Sequence, residues 1–183
     1  MNYSDTYRYV ILTPPRQATR FLAGVFKSIE FGNDVEGGDN PETRPFTHRL
    51  EIPEGKEDYK LICTIRNPYN RYLSIYRWQS IFSSTNLHKI AMDHMVDYND
   101  IMEIDSKYGV DYWVDTENIY NDLLKIPIIS DNLDKLKHHF EGPNPYKEEG
   151  KHEGEITQQI ADEIYESYKF VFDKFGYHKD SWK

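Results

Sequence analysis

Twice in this chain a short run of β-favouring residues is cut off by proline and followed at once by a helical pattern. The first copy runs from "YRYVIL" (7–12) through "TPP" into "QATRFLAGVFKSIEF"; the second runs from "YKLICTI" (59–65) through "RNP" into "YNRYLSIYR". Proline lacks the donor that a strand ladder needs, so each strand has to stop there. In the first helix Phe21, Leu22, Val25, Phe26 and Ile29 recur at helical spacing and make one apolar stripe. In the second, Asn67 suits the N-cap and Pro68 the first helical position, whose N–H would go unpaired in any case. The helix predicted over 68–82 turns Tyr69, Tyr72, Leu73, Tyr76 and Ile75 inward.

The rest of the chain continues the alternation. A third strand, "DYWVDT", leads into "ENIYNDLL", and "KIPIIS" leads into the helix "DNLDKLKHHF", with Ser130 or Asp131 as its cap. The closing segment "ITQQIADEIYESYKFVFDKFG" carries Ile160, Ile164, Tyr168, Val171 and Phe175 at helical intervals. The polar stretch "NLHKIAMDHMVDYNDIMEIDSKYG" also reads as helical, with no role assigned by its pattern, while "FGNDVEGGDNPETRPF" and "EGPNPYKEEGKHEGE" read as loops. Strands alternating with helices predict an α/β fold of three layers, a central, mostly parallel sheet flanked by helices, with ligands bound beyond the carboxyl ends of the strands. With 183 residues and 38% hydrophobic content, one domain over 1–183 is the simplest organisation.

Charge narrows the partners. A formal net charge of −9 argues against duplex nucleic acid or an anionic membrane as the main partner, because neutralising phosphates needs a basic face. Any anion has to be bound locally. The single cysteine, Cys63, rules out an internal disulfide, and its place inside an apolar strand reads as a buried, inert thiol. No Cys/His cluster has zinc-ligand spacing, so no metal is expected. The N-terminus has no basic region followed by a long apolar stretch, and nowhere do ~18 apolar residues run together, so the chain reads as soluble and cytoplasmic.

Within an acidic chain, the arginines at the two turns call for a reason. "TPPRQATR" sets Arg16 and Arg20 around the first turn of a helix, where cations oppose the positive end of the dipole unless an anion joins them. The alternative is two solvated surface groups. The turn lacks the glycines and the Gly-Lys-Ser/Thr ending of an NTPase phosphate loop. At the second turn Arg66 ends a strand, and Asn67, Arg71 (or Asn70) and Ser74 follow at intervals of three or four on one helical face. An arginine fork and a hydroxyl arranged in this way suit a phosphate.

"ICTIRNPYNRYLSIYR" resembles the 3′-phosphate-binding segment of the sulfotransferases that use 3′-phosphoadenosine-5′-phosphosulfate (PAPS), which reads R-[DN]-P-x-x-R-x-x-S. Arg66, Asn67, Pro68, Arg71 and Ser74 fill every position. The upstream "TPPRQATRFL" is similar to that family's 5′-phosphosulfate loop, Pro-Lys-x-Gly/Ala-Ser/Thr-Thr, matching at Pro15, Ala18 and Thr19. It departs at Arg16, which replaces the lysine, and at Arg20, where a second Thr or Ser is usual. "YWVDTENIYNDL" and "YKFVFDKFGY" resemble two later segments of the family, so the likeness runs from about residue 9 to residue 177, with 32–58 and 78–110 as its variable parts. The chain resembles most a short form of the carbohydrate-type and Golgi-type branch, without a membrane anchor.

The resemblance implies a P-loop-like fold and in-line transfer of a sulfuryl group from PAPS, leaving 3′-phosphoadenosine-5′-phosphate (PAP), to a hydroxyl acceptor, with glycans among the candidates. It implies that Arg16 and the backbone N–H groups of Gln17, Ala18, Thr19 and Arg20 hold the leaving group, and that Arg66 and Ser74 grip the 3′-phosphate. His48 would be the base, against the alternative of an uninvolved loop histidine. Glu117 would have mainly a structural hydrogen-bonding role. Lys147 and Lys151 would close over the nucleotide, against a plain solvated charge run. Trp78 and Tyr76 read as core residues. Two other readings stay open: a small nucleotide kinase, and a non-catalytic phosphate-binding module.

Overall fold

A computed structural model describes residues 2–31, 50–82, 85–143 and 156–183. They form two compact units: Met1–Ile65 with Ile101–Lys147, and Arg66–Asp100 with Glu148–Lys183. Among the described residues no helix is long and apolar enough to cross a membrane.

The first unit is built on a four-stranded sheet in the order β1 (Asn2–Ser4), β2 (Tyr9–Leu12), β3 (Lys60–Ile65), β4 (Tyr112–Asp115). β2, β3 and β4 are parallel, with Leu12 opposite Cys63 and Ile65 opposite Asp115; β1 pairs antiparallel with β2. The fold is therefore α/β with a mixed sheet. Every residue of β2 is buried, as are Leu61–Ile65 of β3, because parallel strands covered on both faces read as unbroken apolar runs. Cys63 lies among them, buried and unbridged.

Alternate side chains feed two cores. Tyr9, Ile11, Ile62 and Val114 pack with Leu22, Val25 and Phe26 of α1 (Thr19–Ser28), and with residues of α5 (Ile119–Leu123), α6 (Pro127–Ser130) and α7 (Leu133–Phe140). On the other face Val10, Leu12, Leu61 and Cys63 meet Leu50, Ile52, Tyr59, Ile104 and Trp113.

Two sequence expectations change in this unit. The N-terminal edge strand β1 was not expected, since three residues of mixed polarity show no period to read. "KIPIIS", which leads into α7, holds one helical turn of its own, α6, opened by Pro127, and the N-cap of α7 is Asn132 rather than Ser130 or Asp131. Ser130 Oγ instead donates to the Pro127 carbonyl at 3.0 Å.

α7 docks on α1 through His139. Its Nε2 lies 2.9 Å from Ser28 Oγ, its ring meets Phe21 edge-on, and a Cβ at Gly24 would stand only 3.2 Å from its Cε1. A larger residue there would require the histidine ring to shift by a few tenths of an ångström.

The second unit starts with the turn into α2 (Pro68–Ser80). Asn67 caps it as expected, its Oδ1 accepting from the Tyr69 N–H at 2.9 Å, with Pro68 at the first position. Tyr69, Tyr72, Leu73 and Ile75 are buried, while Tyr76 is half-buried and stacks on Tyr72. α3 (Leu87–Asp93) and α8 (Gln158–Phe175) complete the packing: Tyr72 Oη bonds His88 Nδ1 at 3.0 Å, and His88 Nε2 reaches Glu163 at 3.1 Å. α8 buries Ala161, Ile164, Tyr168, Val171 and Phe172, with the expected Ile160 and Phe175 half-buried at the margin of that stripe; the helix departs from regular geometry at Tyr168 (φ −123°, ψ 24°).

Arg71 is the largest fully buried side chain. Its guanidinium grips both carboxylate oxygens of Asp97 at 2.5 and 2.7 Å, donates to the His94 carbonyl at 3.3 Å and lies 4.6 Å from the centre of the Tyr98 ring. Asp97 is also the first residue of α4 (Asp97–Tyr108), where an anion favours the helix dipole.

Two outcomes follow from these contacts. Burial, and then the adjacent His138, hold the His139 imidazole below its ordinary value. The folded chain thus resists protonation that the unfolded chain accepts, so this contribution to stability is complete above about pH 6.5 and is lost as the pH falls through the lower folded value. Urea midpoints at about pH 7.5 and about pH 5.5 should drop more for the parent than for His139→Gln; parallel drops would refute the assignment. Asp97→Ala leaves the Arg71 charge buried and unmatched, and should cost about 3–5 kcal/mol in urea unfolding. A loss below about 1 kcal/mol would mean that the pair is not closed off from water.

Candidate functional site

β2 and β3 are neighbours and parallel, so both end at the same edge of the sheet, and β2 passes through Thr13–Ala18 into α1. The parallel strands follow chain order, so the described sheet has no point where strand order reverses.

The β2–α1 turn is strained. Arg16 (φ 64°) and Ala18 (φ 59°) are both left-handed, a conformation that costs a residue with a Cβ roughly 1–2 kcal/mol. Ala18 is the N-cap of α1 and supplies no side-chain cap of its own; the first turn of the helix holds no acidic residue. Thr19 Oγ1 turns back to the Pro14 carbonyl at 3.4 Å. Gln17 is fully buried, its Oε1 accepting from Thr64 Oγ1 on β3 at 3.2 Å, and its Nε2 has no hydrogen-bond partner among the described residues. Arg16 and Arg20 are exposed. A helix start whose N-cap residue supplies no cap and whose first turn holds no acid, reached through left-handed backbone, concentrates N–H groups and suits an anion.

The β3–α2 turn is relaxed by comparison. Arg66 is 4% exposed and its carbonyl accepts from Tyr98 Oη at 2.7 Å. Asn67 is 5% exposed; its Oδ1 caps α2 and its Nδ2 donates to Ser181 Oγ at 2.9 Å. Ser74, half-buried, lies two helical turns further on. The first turn of α2 also lacks an acidic residue.

Arg71 does not take the place its spacing suggested. It shares a helical face with Asn67 and Ser74, but its fork is closed on Asp97, so it serves the packing of α2 and is no phosphate ligand. The aspartate that claims it lies 26 residues away, in the polar helical stretch whose pattern assigns no role. The C-terminal residues that reach Asn67 were likewise not foreseen.

The other expected positions divide simply. His48, Lys147 and Lys151 lie outside the described residues, as does most of the two predicted loops. Glu117 is a local group: its N–H donates to Asp115 Oδ1 and its carboxylate accepts from Thr116 Oγ1 at 3.1 Å. Trp78 is half-buried, edge-on to the exposed Phe82. Of the remaining described histidines, His94 sits beside Gln79 and His178 Nδ1 accepts from the Asp180 N–H. Among the described residues no group of three or more His, Cys, Asp or Glu is placed to hold a metal ion. Comparison of the chain with family models, curated proteins and solved structures finds no match.

The strain at the β2–α1 turn separates folding from binding. Ala18→Val forces a β-branched residue into left-handed backbone and should destabilise by about 2 kcal/mol or more. Arg16→Gly relieves strain, so its unfolding free energy should stay within about 1 kcal/mol of the parent, while affinity for inorganic sulfate or pyrophosphate falls. Unchanged anion affinity in Arg16→Gly, measured by calorimetry, would remove this turn from the site.

Proposed function

We propose that this chain is a PAPS-dependent sulfotransferase with a P-loop-like nucleotide site, acting on a hydroxyl acceptor, with sugars as the class to test first. The observation that carries the reading is the left-handed Ala18 at the start of α1. The likeness to the 5′-phosphosulfate loop assigns Gly or Ala to that position: glycine takes left-handed backbone without cost, and alanine takes it at a cost but with the smallest side chain to crowd an anion at the helix start. The segment from Arg66 to Ser74 supports it with an independent match.

The roles follow from the chemistry of the groups. Arg16 and the N–H groups of Gln17, Ala18, Thr19 and Arg20 would neutralise charge on the departing phosphate oxygen, each donor in such a hole being worth about 3 kcal/mol. Arg66 and Ser74 would hold the 3′-phosphate and fix the register of the nucleotide. Bound PAPS supplies the sulfuryl group, whose sulfur–oxygen bond to phosphate breaks as the bond to the acceptor oxygen forms. His48 would take the acceptor's proton, its ordinary pKa of about 6.5 being suited to that task near neutrality. Arg16 in place of lysine offers a planar fork rather than a compact ammonium, so it contacts two oxygens where lysine would contact one.

The test is selective binding followed by transfer. PAP should bind at least about tenfold more tightly than AMP in calorimetry, and Ser74→Ala and Arg66→Ala should each reduce that preference. Radiolabelled PAPS with a panel of glycans and small hydroxyl compounds should then yield a labelled acceptor, lost in Arg16→Ala. Equal affinity for PAP and AMP would defeat the reading. PAPS retained without transfer to any acceptor would assign the chain as a non-catalytic binding module instead.

A further inference from the structure

Between the two left-handed residues of the β2–α1 turn stands a side chain turned inward. Arg16 and Ala18 have φ of 64° and 59°, and Arg16 is exposed, while Gln17 between them is fully buried. Its amide meets Thr64 of β3, itself fully buried, with 3.2 Å between Gln17 Oε1 and Thr64 Oγ1. A hydroxyl can give or take that bond, so either end of the amide could face the strand. In both cases the other end is buried; as placed it is Nε2, which has no hydrogen-bond partner among the described residues.

Packing by itself does not ask for such a group. A saturated side chain of the same length would give up the bond to Thr64, and with it the burial cost of the unmet end. What the polar side chain adds is a tether. Left-handed backbone at residues with a Cβ relaxes unless its surroundings hold it, and Gln17 ties the middle of the turn to a strand paired on both sides. Thr64 is the last residue but one of β3, so the tether lies at the edge of the sheet where β2 runs into the turn. The turn in turn opens α1, whose first N–H groups favour an anion.

We propose that Gln17 is a positioning residue for an anion at this turn: its side chain, tethered to Thr64, holds the left-handed backbone that presents the N–H groups at the start of α1 to a phosphate or phosphosulfate group. The proposal rests on the cofactor reading above for its natural ligand, and on the turn alone for its test with a simple anion. The Gln17 side chain touches no ligand in this role; it acts through the backbone.

The test uses the full chain and inorganic pyrophosphate, read by calorimetry, with urea midpoints alongside. Gln17→Met removes both ends of the amide and keeps the length, Thr64→Val removes the hydroxyl and keeps the shape, and Thr64→Ser keeps the hydroxyl. Gln17→Met and Thr64→Val should each weaken pyrophosphate binding about fivefold, with the double variant no weaker than the singles and Thr64→Ser within about twofold of the parent. The urea midpoint of Gln17→Met should stay close to the parent's, because the lost bond and the removed unmet end offset each other. Parent affinity in Gln17→Met and Thr64→Val overturns the proposal. So do losses that multiply in the double variant, since the two side chains would then act separately, and so does a parent chain that binds no pyrophosphate. Where Gln17→Met does not fold, Thr64→Val against Thr64→Ser decides. PAP bound no better than AMP removes the cofactor reading, because that preference reports the 3′-phosphate, and the pyrophosphate comparison still decides the role of Gln17.

Discussion

The parallel pairing of β2 with β3 is the constraint on which the rest of the molecule depends. Parallel neighbours cannot be joined by a hairpin, so the chain must cross over between them, and α1 makes that crossover. Both strands are buried on both faces, so the apolar pattern alone would tolerate a slipped register that a half-exposed strand would forbid. Polar pins supply what the pattern lacks. Thr64 donates to Gln17, Asp111 accepts from the Leu61 N–H at 2.8 Å, and the Lys60 N–H reaches the Arg8 carbonyl at 3.0 Å. The Gln17 pin also ties the β2–α1 turn to the strand beside it, so the pairing and the shape of that turn stabilise each other.

α1 and α2 solve the problem of an unsatisfied first turn in opposite ways. α2 opens with an asparagine cap and a proline, both of which satisfy or remove orphan N–H groups at little cost. α1 opens with two left-handed residues and an N-cap residue that supplies no side-chain cap, a deficit of roughly 3 kcal/mol against a relaxed, capped start. Burial of Leu22, Val25 and Phe26, each worth about 1.5–3 kcal/mol, more than offsets it. The helix therefore forms despite its first turn rather than because of it, and a turn kept in that state is open to a role other than stability.

Where one side chain faces one neighbour close in sequence, the fold was legible. The strands over 9–12, 60–65 and 112–115, the cap at Asn67 and the buried faces of α1 and α2 all follow from period and local chemistry. α6 has no signal of its own, because a four-residue apolar run looks alike as strand or helical turn. The site was legible only as positions. That Ala18 and Arg16 are left-handed, that Gln17 bonds Thr64, and that Ser181 meets Asn67 depend on contacts 47 and 114 residues apart, which no local pattern encodes.

Arg71 shows why a filled motif and a site are different things. Every position of R-[DN]-P-x-x-R-x-x-S is occupied, yet the residues do three unlike jobs. Asn67 and Pro68 start the helix, Arg71 fastens it to Asp97, and only Arg66 and Ser74 remain as candidates to touch a ligand. The Asp97 contact is a two-pronged fork with a carbonyl and an aromatic face beside it, a setting that lysine could not fill, so packing alone is sufficient to demand arginine there. A match at Arg71 thus reports how this helix is packed, and carries no weight for nucleotide binding. The weight shifts to Arg16 and Arg20, two exposed arginines at the start of α1 in an acidic chain, where the dipole alone would favour the opposite charge.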